Sequence, residues 1–532
     1  MNSAPEKDYS RTGSLAVVAL IATLVAVSFI PPRTVGGVKL RRADILSQVW
    51  SFADADPEIP SEALFDAGDF DVDMAEVADR IVADTVSEEV QTLFEWHTEA
   101  VAAETPRTAP HPVDSLRATG PVIPIETVDS LGFDRFDAFC DTLMNARRPV
   151  RIAVLGDSFV EGDILTADLR ERLQERYGGG GTGFAPMASP LTAFRRTVKT
   201  QSKGWTTYNI MQRKAAPEPL RGAFYVSGWL CLPGAGASTR WETTGYRRRL
   251  DACTTGRIFF LSPQESRIEL TVNDTLRREF AVSGSPAVRQ IAVTAPRIGS
   301  LTFRLCGGSE GFVGYGAVME GGGVSVDNYS VRSNNGQAMF WTDPSVNAQI
   351  DAFLDYDLVV LQYGLNIMQR GVSDYTRYGE QIEKMVAFVH ECFPGAAVLV
   401  LGVSDRSVKT DSGFEPMDAI PHMTACQRRA ARNAGAAFWP TSDAMRSRGG
   451  MARFVQQGWA GKDFTHINYA GGREVAHALA DAIDRRVCDL HLRREADARR
   501  RRSVLDSLQQ ARIETRLLPA ITSVQPLDSR ER

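Results

Sequence analysis

The sequence lacks the motifs that mark several common classes of protein. Its seven cysteines include no CxxC pair, which argues against a zinc ribbon or a dithiol redox centre. It has no HExxH motif or histidine cluster, and the glycine run Gly178–Gly181 lacks the GKS or GKT ending of a phosphate-binding loop. The net charge of -5, with no strongly basic folded segment, argues against nucleic-acid binding. We therefore expect no metal, no cofactor and no nucleic-acid partner.

Three of the cysteines, Cys231, Cys253 and Cys306, lie in one segment of the chain. A disulfide among them would require an oxidising compartment outside the cytoplasm. Because an odd total leaves at least one cysteine unpaired, we favour buried free thiols over a disulfide.

Long apolar runs are also scarce, and the clearest one lies near the start of the chain. The stretch Ser14–Ile30 has no charged residue, and a helix of its length spans about 25 Å, close to the minimum for crossing a bilayer. Pro31 and Pro32 would end this helix. We predict a transmembrane anchor after a short tail at residues 1–13, with a cleaved signal peptide as the alternative.

The charges that follow this stretch bear on its orientation. Arg33, Lys39, Arg41 and Arg42 argue for placing the rest of the chain inside the cytoplasm. Long domains, however, can be translocated regardless of such charges. We expect the rest of the chain to lie outside the cytoplasm, with that objection standing.

The two flanks of the remaining chain are polar. Residues 31–120 are acidic and rich in alanine and proline, which is typical of a linker, with short helices such as one within Met74–Trp96. Residues 491–532 form a polar tail, and its arginine run, Arg499–Arg502, indicates a solvated surface.

The middle of the chain combines two patterns. Residues 121–194 and 346–490 alternate short buried strands with amphipathic helices, which predicts a parallel sheet with helices on both faces. Residues 195–345 alternate apolar and polar positions between close turns, which indicates an antiparallel β-sandwich or jelly roll. We predict an α/β fold, a three-layer α/β/α sandwich with a parallel, flavodoxin-like sheet, interrupted by an inserted antiparallel β-sandwich. The strands expected in the parallel sheet are Arg151–Leu155, Asp357–Tyr363, Ala396–Val403 and Ala436–Trp439, and the helices are Thr166–Tyr177, Tyr375–Phe393, His422–Ala434 and Tyr469–Leu490.

The first candidate site lies directly after the first of these strands. Gly156, Asp157 and Ser158 occupy the loop to the next helix, and open α/β sheets bind ligands at the carboxyl ends of their strands. Gly156 permits a tight turn, and helix N-terminal amides near Ser158 favour a developing negative charge. A helix cap without catalytic function is the alternative for this motif alone.

Two further blocks are expected at the same edge of the sheet. Gly364 and Asn366 follow another buried strand, where an asparagine amide can donate to an oxyanion. Asp463 and His466 precede the last predicted helix, three residues apart, so that the carboxylate can orient the imidazole. A simple turn and a helix start are the structural alternatives. Because the three blocks converge, we predict that Ser158, His466 and Asp463 form a catalytic triad.

In this order, the blocks resemble those of the SGNH (GDSL-like) hydrolases. Ser158 matches the serine block of that family, Gly364 and Asn366 match its GxN block, and Asp463 and His466 match its DxxH block. The resemblance implies a cofactor-free ester hydrolase that acts through an acyl-enzyme.

The resemblance covers roughly residues 120–190 and 335–490, and it implies an oxyanion hole. Its donors would be the backbone N–H of Ser158, the side chain of Asn366 and a glycine amide, for which Gly336 is the best match. Residues near the blocks or at the same sheet edge are candidate substrate contacts, with a structural Asp–Arg pair as the alternative for the last two: Asp157, Gly364, Asp405 and Arg406.

Peptidoglycan O-acetylesterases and related wall-modifying enzymes are similar in having a β-domain between the serine and asparagine blocks. This similarity implies a serine esterase that removes acyl groups, acetyl foremost, from a cell-envelope glycan. Together with the predicted anchor, it leads us to expect the enzyme in the periplasm, at a bacterial inner membrane. Two alternatives stay open. One is an O-acyltransferase that uses the same triad with a membrane acyltransferase as its partner, and the other is a non-catalytic glycan-binding protein.

Overall fold

The computed structural model describes residues 33–35, 38–40, 72–85, 92–98, 122–128, 135–145 and 148–517. The strands are β1 (Arg33–Val35), β2 (Val38–Leu40), β3 (Thr92–His97), β4 (Val150–Gly156), β5 (Gly179–Pro186), β6 (Val198–Asn209), β7 (Trp229–Thr243), β8 (Thr255–Ser262), β9 (Ser266–Val272), β10 (Leu276–Val282), β11 (Ser285–Thr294), β12 (Ser300–Gly307), β13 (Val313–Ser330), β14 (Tyr356–Gln362), β15 (Ala397–Leu401), β16 (Ser407–Thr410), β17 (Gly413–Pro416) and β18 (Ala437–Trp439). The α-helices are α1 (Met74–Thr85), α2 (Arg135–Asn145), α3 (Thr166–Tyr177), α4 (Pro344–Leu354), α5 (Thr376–Cys392), α6 (Ala419–Asn433), α7 (Thr441–Arg446), α8 (Gly450–Gln456) and α9 (Tyr469–Leu517).

A parallel sheet lies at the centre of the fold, with strands in the order β13, β4, β14, β15 and β18. Strands β4, β14 and β15 are buried along their whole length and rich in valine and leucine, as expected of strands covered on both faces. Helices α4, α5 and α6 contribute to an apolar core on one face, and α2, α3 and α9 contribute to a core on the other. The predicted α/β fold with a mostly parallel central sheet is confirmed.

An antiparallel β-domain continues from one side of this sheet. Strands β10, β9, β12, β7 and β6 pair in that order, and a second group contains β5, β13, β8 and β11. Apolar side chains from both groups share one core, as the alternating pattern predicts. This core includes Trp241, Phe260, Leu270, Ile291 and Phe303.

Strand β13 belongs to both parts of the molecule. Its first half pairs with β5 and β8 in the β-domain, whereas Val324–Ser330 runs parallel to β4. The β-domain begins before residue 195, the predicted start of the insert at 195–345, because β5 begins at Gly179 and already pairs with β13. A continuous strand that changes its neighbours has no break in its hydrophobic pattern, so the sequence does not mark the junction.

Part of the segment predicted as a linker is a strand of the β-domain. Helix α1 agrees with a short helix in this segment, but Thr92–His97 forms β3, parallel to β11, where the pattern predicts helical turns. The rings of Phe94 and Trp96 pack against Phe280, with centroid distances of 4.9 and 6.2 Å. Pairing with β11 and this aromatic contact favour a strand, and neither can be seen in the local pattern.

The closing helix is longer than predicted. Helix α9 runs over Tyr469–Leu517, whereas the sequence predicts a helix as far as Leu490 and a polar tail after it. Arg493, in the added part, forms an ion pair with Asp137 of α2 at 3.3 Å. Arg499–Arg502 is exposed, as predicted. Charged residues are common in exposed helices and in tails, so composition alone does not separate the two.

All seven cysteines lie among the described residues and are free thiols. Cys231 and Cys253 are buried, as predicted, but Cys306 is exposed.

No helix in the described part of the chain is both long and apolar enough to cross a bilayer. The predicted anchor, Ser14–Ile30, lies outside the described residues and stays a prediction.

Candidate active site

Loops that follow three neighbouring strands meet at one edge of the parallel sheet. Gly156, the last residue of β4, is level with Ser330 of β13 on one side and with Gln362 of β14 on the other. The chain after each of these residues therefore emerges at the carboxyl edge of the sheet, where α/β folds bind ligands. The Ser158 and Asn366 blocks are adjacent there, as the sequence predicts.

Gly156 allows the serine loop to turn closely over β14. A Cβ atom at this position would lie 2.6 Å from Cγ2 of Val160 and 3.1 Å from the backbone oxygen of Gln362. A larger residue would force the loop away from the sheet, since backbone atoms cannot give way as a flexible side chain can. This glycine is therefore required for the position of Ser158.

Ser158, His466 and Asp463 form one hydrogen-bonded line. Oγ of Ser158 lies 3.3 Å from Nε2 of His466, and Nδ1 of His466 lies 2.7 Å from Oδ2 of Asp463. The other oxygen of Asp463 accepts the backbone N–H groups of Thr465 at 3.1 Å and of His466 at 3.2 Å. The turn thereby holds the carboxylate and the imidazole in a fixed relation, and the three predicted residues come together.

Asp463 controls the basicity of His466. Its hydrogen bond raises the pKa of His466 above the ordinary value of 6.5, although burial opposes the rise. Burial acts to raise the pKa of Asp463, but hydrogen bonds from His466 and the backbone lower it to about 2. At neutral pH Asp463 is therefore an anion, and it stabilises the imidazolium that forms when Nε2 takes a proton.

Asp157 is a buried carboxyl group that holds Asn366. Its side chain accepts the backbone N–H of Phe159 at 2.9 Å and Nδ2 of Asn366 at 3.1 Å. Burial raises the pKa of Asp157 to about 7, against the Phe159 hydrogen bond and the charge of His466. Because Asp157 is fully buried, the prediction that it contacts substrate is corrected: it orients Asn366 from below the loop.

Two of the three predicted oxyanion donors already donate hydrogen bonds within the protein. Nδ2 of Asn366 donates to Asp157 and also, at 2.9 Å, to the backbone oxygen of Asn334, a residue that the sequence patterns do not single out. The N–H of Gly336 donates to Oδ1 of Asn334 at 2.9 Å. Gly336 therefore donates within its own turn, and its assignment as an oxyanion donor stays a prediction. The N–H of Ser158 has no hydrogen-bond partner within the described part of the chain.

Gly364 shapes the loop and offers the substrate no side chain. Its φ is +110°, and a Cβ atom there would lie 2.9 Å from Nε2 of Gln427. Glycine is favoured in this conformation and this space. It makes the turn that carries the chain from β14 to Asn366.

Asp405 and Arg406 have structural contacts. Asp405 is 2% exposed, lies 3.2 Å from Nε of Arg446 and accepts the backbone N–H of Met451 at 2.8 Å. The backbone oxygen of Arg406 accepts the N–H of Met417 at 2.9 Å. The predicted substrate contact of Asp405 is corrected, because its carboxylate is buried in an ion pair. Its partner in that pair is Arg446. The predicted substrate contact of Arg406 stays a prediction.

An ion pair that the sequence patterns do not indicate lies beside the serine. Nε of Arg332, in the loop after β13, lies 3.1 Å from both carboxylate oxygens of Glu161, three residues beyond Ser158. The Arg332 side chain is 67% exposed, and its charge acts to lower the pKa of His466. The position of Arg332 just after a strand end could have indicated a site residue. Most of β13, however, has the alternating pattern of an antiparallel strand, so the sequence does not show that its end lies beside β4.

Comparison with protein-family models and with curated proteins found no match. Among solved structures, family two carbohydrate esterases from Clostridium thermocellum and Cellvibrio japonicus are similar at 13% and 8% identity, with TM-scores of 0.22 and 0.23. These alignments cover 49% and 55% of this chain and 95% and 99% of those chains. Likeness this low carries no argument.

A higher similarity relates the chain to a peptidoglycan O-acetylesterase. The TM-score is 0.54 at 22% identity, and the alignment covers 68% of this chain and 99% of that chain. At this identity the likeness informs the fold. The chain therefore has the fold of a peptidoglycan O-acetylesterase, as its resemblance to the SGNH hydrolases predicts.

Proposed function

We propose that the chain is a serine esterase that hydrolyses acyl esters, acetyl foremost, on a cell-envelope glycan. The observation that carries this proposal is the line from Ser158 through His466 to Asp463, at the carboxyl edge of a parallel sheet. A hydroxyl, an imidazole and a carboxylate in this order are the parts that nucleophilic acyl transfer needs.

In the proposed reaction, Oγ of Ser158 attacks the ester carbonyl carbon while Nε2 of His466 takes the hydroxyl proton. The carbonyl oxygen becomes an anion, and the free N–H of Ser158 donates to it. The intermediate collapses to an acyl-serine as the imidazolium of His466 protonates the departing sugar oxygen. Water then attacks the acyl-serine with His466 again as base, which releases the acid and restores Ser158.

Asn366 is the second oxyanion donor in this proposal. Its two Nδ2 hydrogens are donated to Asp157 at 3.1 Å and to the backbone of Asn334 at 2.9 Å, so one bond must be shared with the oxyanion. The bond to Asp157 is the weaker one, because it is longer and because burial raises the pKa of Asp157 to about 7. A partly neutral carboxyl group is a poorer acceptor than an anion.

The glycan ester is inferred from the fold shared with a peptidoglycan O-acetylesterase, which supports the class of substrate. The His466 and Asp463 side chains are 47% and 46% exposed, so an ester can reach them from solvent.

The test compares turnover of p-nitrophenyl acetate and of O-acetylated peptidoglycan by the full chain and by Ser158→Ala. We expect the variant to lose activity on both, by a factor of about 10⁴ or more. Ser202→Ala, which changes an exposed serine on β6, is the matched control and should retain full activity. If Ser158→Ala keeps its activity, the proposed mechanism is wrong, and glycan binding without any turnover would favour a non-catalytic binding protein.

An O-acyltransferase is a second candidate, and the open site favours it for a physical reason. A half-exposed His466 can activate a sugar hydroxyl as readily as water, so the acyl-serine could pass its acyl group to a glycan. Such an enzyme would need an acyl donor, which a membrane acyltransferase partner could supply. Mass spectrometry of a deacetylated glycan incubated with enzyme and an activated acetyl ester separates the transferase from the esterase. Only a transferase adds about 42 Da, an acetyl group in place of a hydrogen, to each acetylated hydroxyl.

Attachment to a bacterial inner membrane through Ser14–Ile30, with the enzyme in the periplasm, belongs to the same proposal. Fractionation of cells that express the full chain tests it. We expect the chain in the membrane fraction and accessible to protease added to spheroplasts. Recovery in the soluble periplasmic fraction would favour the cleaved signal peptide.

A further inference from the structure

We propose that Phe194, Arg196 and Tyr469 form a docking patch for a carboxylate-bearing glycan next to the triad. The inference rests on the proposed function and names the substrate class more closely. These three residues are called the docking patch below.

The docking patch adjoins the triad through short covalent connections. Tyr469 is three residues beyond His466, at the start of α9. Its hydroxyl donates to the backbone oxygen of Gly162, in the serine loop, and lies 3.0 Å from the backbone oxygen of Phe194. The segment that carries Phe194 and Arg196, between β5 and β6, is thereby held against both catalytic loops.

Arg196 supplies an available positive charge. Its guanidinium lies over the Tyr469 ring, with Cζ 4.3 Å from the ring centroid, and its backbone N–H donates to the Tyr469 hydroxyl at 3.3 Å. The residue is exposed and forms no ion pair within the described part of the chain. A guanidinium held on an aromatic face keeps its outward N–H groups free for a carboxylate.

The surroundings of Arg196 strengthen this positive charge. The buried Asp163 is shared by Arg170 and Arg195, so it leaves no anion to neutralise a further arginine. Asp168 is likewise shared by two arginines, Arg247 and Arg473, at 3.0 and 3.3 Å.

Glu171 lies on the side of Arg249, whose backbone N–H it accepts at 3.4 Å. The Asp163 and Asp168 clusters, with two arginines to one carboxylate each, therefore carry a net positive charge that favours an anion nearby.

Phe194 supplies an apolar face. It is 72% exposed, the largest exposed fraction among the large apolar side chains described in the structure. Its neighbours in the chain are ordered, because Ser189 caps the turn Pro190–Phe194 through the N–H of Leu191 at 3.1 Å. An aromatic ring on a fixed turn can cover the C–H face of a sugar ring at little cost in conformational entropy.

An exposed ring that can cover sugar C–H groups, two residues before an exposed guanidinium without an ion pair, fits a glycan whose sugars carry carboxylates. A neutral glycan would contact the Phe194 ring but form no ion pair with Arg196, and a small anion would bind Arg196 without contacting the ring. The occupant to which the geometry points is therefore an acidic polysaccharide, with its ester placed at Ser158.

The test measures kcat/KM of the full chain on three esters: p-nitrophenyl acetate, partly acetylated polygalacturonate and acetylated xylan. We expect Arg196→Gln to lower the ratio of polygalacturonate to p-nitrophenyl acetate turnover about five- to tenfold, and to change the xylan ratio little. Phe194→Ala should lower both polymer ratios. Added salt should weaken the polygalacturonate preference of the unchanged chain and have less effect on Arg196→Gln.

Two residues on β10 are matched controls. Arg278 also lies over an aromatic ring, with Cζ 5.1 Å from the Phe280 centroid, and Leu276 is an exposed apolar side chain. Arg278→Gln and Leu276→Ala should leave both ratios as they are. Equal effects of Arg196→Gln and Arg278→Gln, or an equal loss on both polymers in Arg196→Gln, would overturn the proposal.

A binding measurement that needs no ester hydrolysis tests the docking patch separately from the proposed esterase activity. The Ser158→Ala chain is run through native gels that contain polygalacturonate or xylan, with and without Arg196→Gln. Selective retardation by polygalacturonate that depends on Arg196 supports the docking patch even if no ester is hydrolysed. If esters are hydrolysed but retardation does not depend on Arg196, the docking patch is wrong and the esterase stands.

Discussion

His466 can accept the proton of Ser158 only while its Nε2 is unprotonated, and Asp463 extends the protonated form to higher pH. We therefore expect kcat/KM for p-nitrophenyl acetate to rise with pH and to level off above a midpoint that lies above 6.5. In Asp463→Asn the hydrogen bond that raises the pKa of His466 is weakened, so the midpoint should move to lower pH. The plateau should also fall, by about 10⁴, because the imidazole loses its orientation and its counter-charge.

The pH profile of Asp506→Asn serves as the control, since Asp506 is an exposed residue of α9. An unchanged midpoint in Asp463→Asn, measured between pH 5 and 9, would show that Asp463 does not set the pKa of His466.

The stabilisation of the oxyanion by Asn366 depends on the hydrogen bonds that its side chain makes with Asp157 and Asn334. We expect Asn366→Ala to lower kcat by about 10²–10³ while changing KM much less, because its donor is needed mainly when the carbonyl oxygen carries charge. The variant also leaves the buried carboxyl group of Asp157 with one fewer donor, so a thermal melt must accompany the kinetics. A KM effect without a kcat effect would place Asn366 in substrate binding instead.

Among elements, the β16–β17 hairpin lies against the loop that carries Asp463 and His466. The ring of Phe414 stacks on that of Phe464, with centroids 3.7 Å apart and planes within 8°, and the N–H of Ser407 donates to the Phe464 backbone oxygen at 3.0 Å. Phe464 follows Asp463 directly and has φ of +55°, a conformation that costs a bulky residue about 1–3 kcal/mol. The hairpin therefore stabilises a strained turn.

We expect Phe414→Ala to lower kcat on p-nitrophenyl acetate about ten- to a hundredfold, because a shift of the turn moves His466 away from Ser158. Phe414→Tyr should restore most of the rate, since it keeps the stacked ring. Leu276→Ala, at an exposed apolar residue on β10, is the control. If kcat of Phe414→Ala equals that of the unchanged chain, the hairpin does not position the turn.

At the scale of the whole molecule, a buried charge network joins the serine loop to the β-domain. Asp163, in that loop, is fully buried, and its Oδ2 accepts Nε of Arg195 at 2.7 Å and the hydroxyl of Thr197 at 2.5 Å. Burial opposes ionisation, yet Arg170 and Arg195 lower the pKa of Asp163 below its ordinary value. The stability that this group contributes is present above pH 3.8 and is lost as the pH falls towards the lowered pKa.

Arg195→Met should lower the free energy of unfolding by about 3–5 kcal/mol, because it leaves Asp163 buried with a single arginine. Urea unfolding at pH 7, followed by tryptophan fluorescence, measures the change. Arg240→Met is the comparison: Arg240 pairs with the mostly exposed Asp274, and its loss should cost about 1 kcal/mol or less. Equal losses in the two variants would show that the Asp163 network does not hold the loop.

Features that depend on neighbouring residues can be predicted from this sequence, whereas features that depend on contacts between distant segments cannot. The buried runs in β4 and β14, and the blocks at Ser158 and Asp463, are local patterns, and the structure places them as expected. The local pattern predicts helical turns where the structure has strand β3, because the pairing of β3 with β11 joins segments about 200 residues apart and has no local signature. The same holds for the two ends of β13, which belong to different parts of one sheet.

The order of residue types along the chain already specifies a serine and an asparagine at strand ends and an Asp–His pair before the last helix, because each of these patterns is complete within a few residues. Which amide hydrogens remain free, and which charges stand beside the serine, depends on contacts between distant segments. Asn334 accepts a hydrogen of Asn366, and the Arg196 guanidinium lies over Tyr469, only once these separate segments have packed together. Hydrogen bonds and ring contacts of this kind leave no periodic trace in a sequence, so folding in three dimensions settles them.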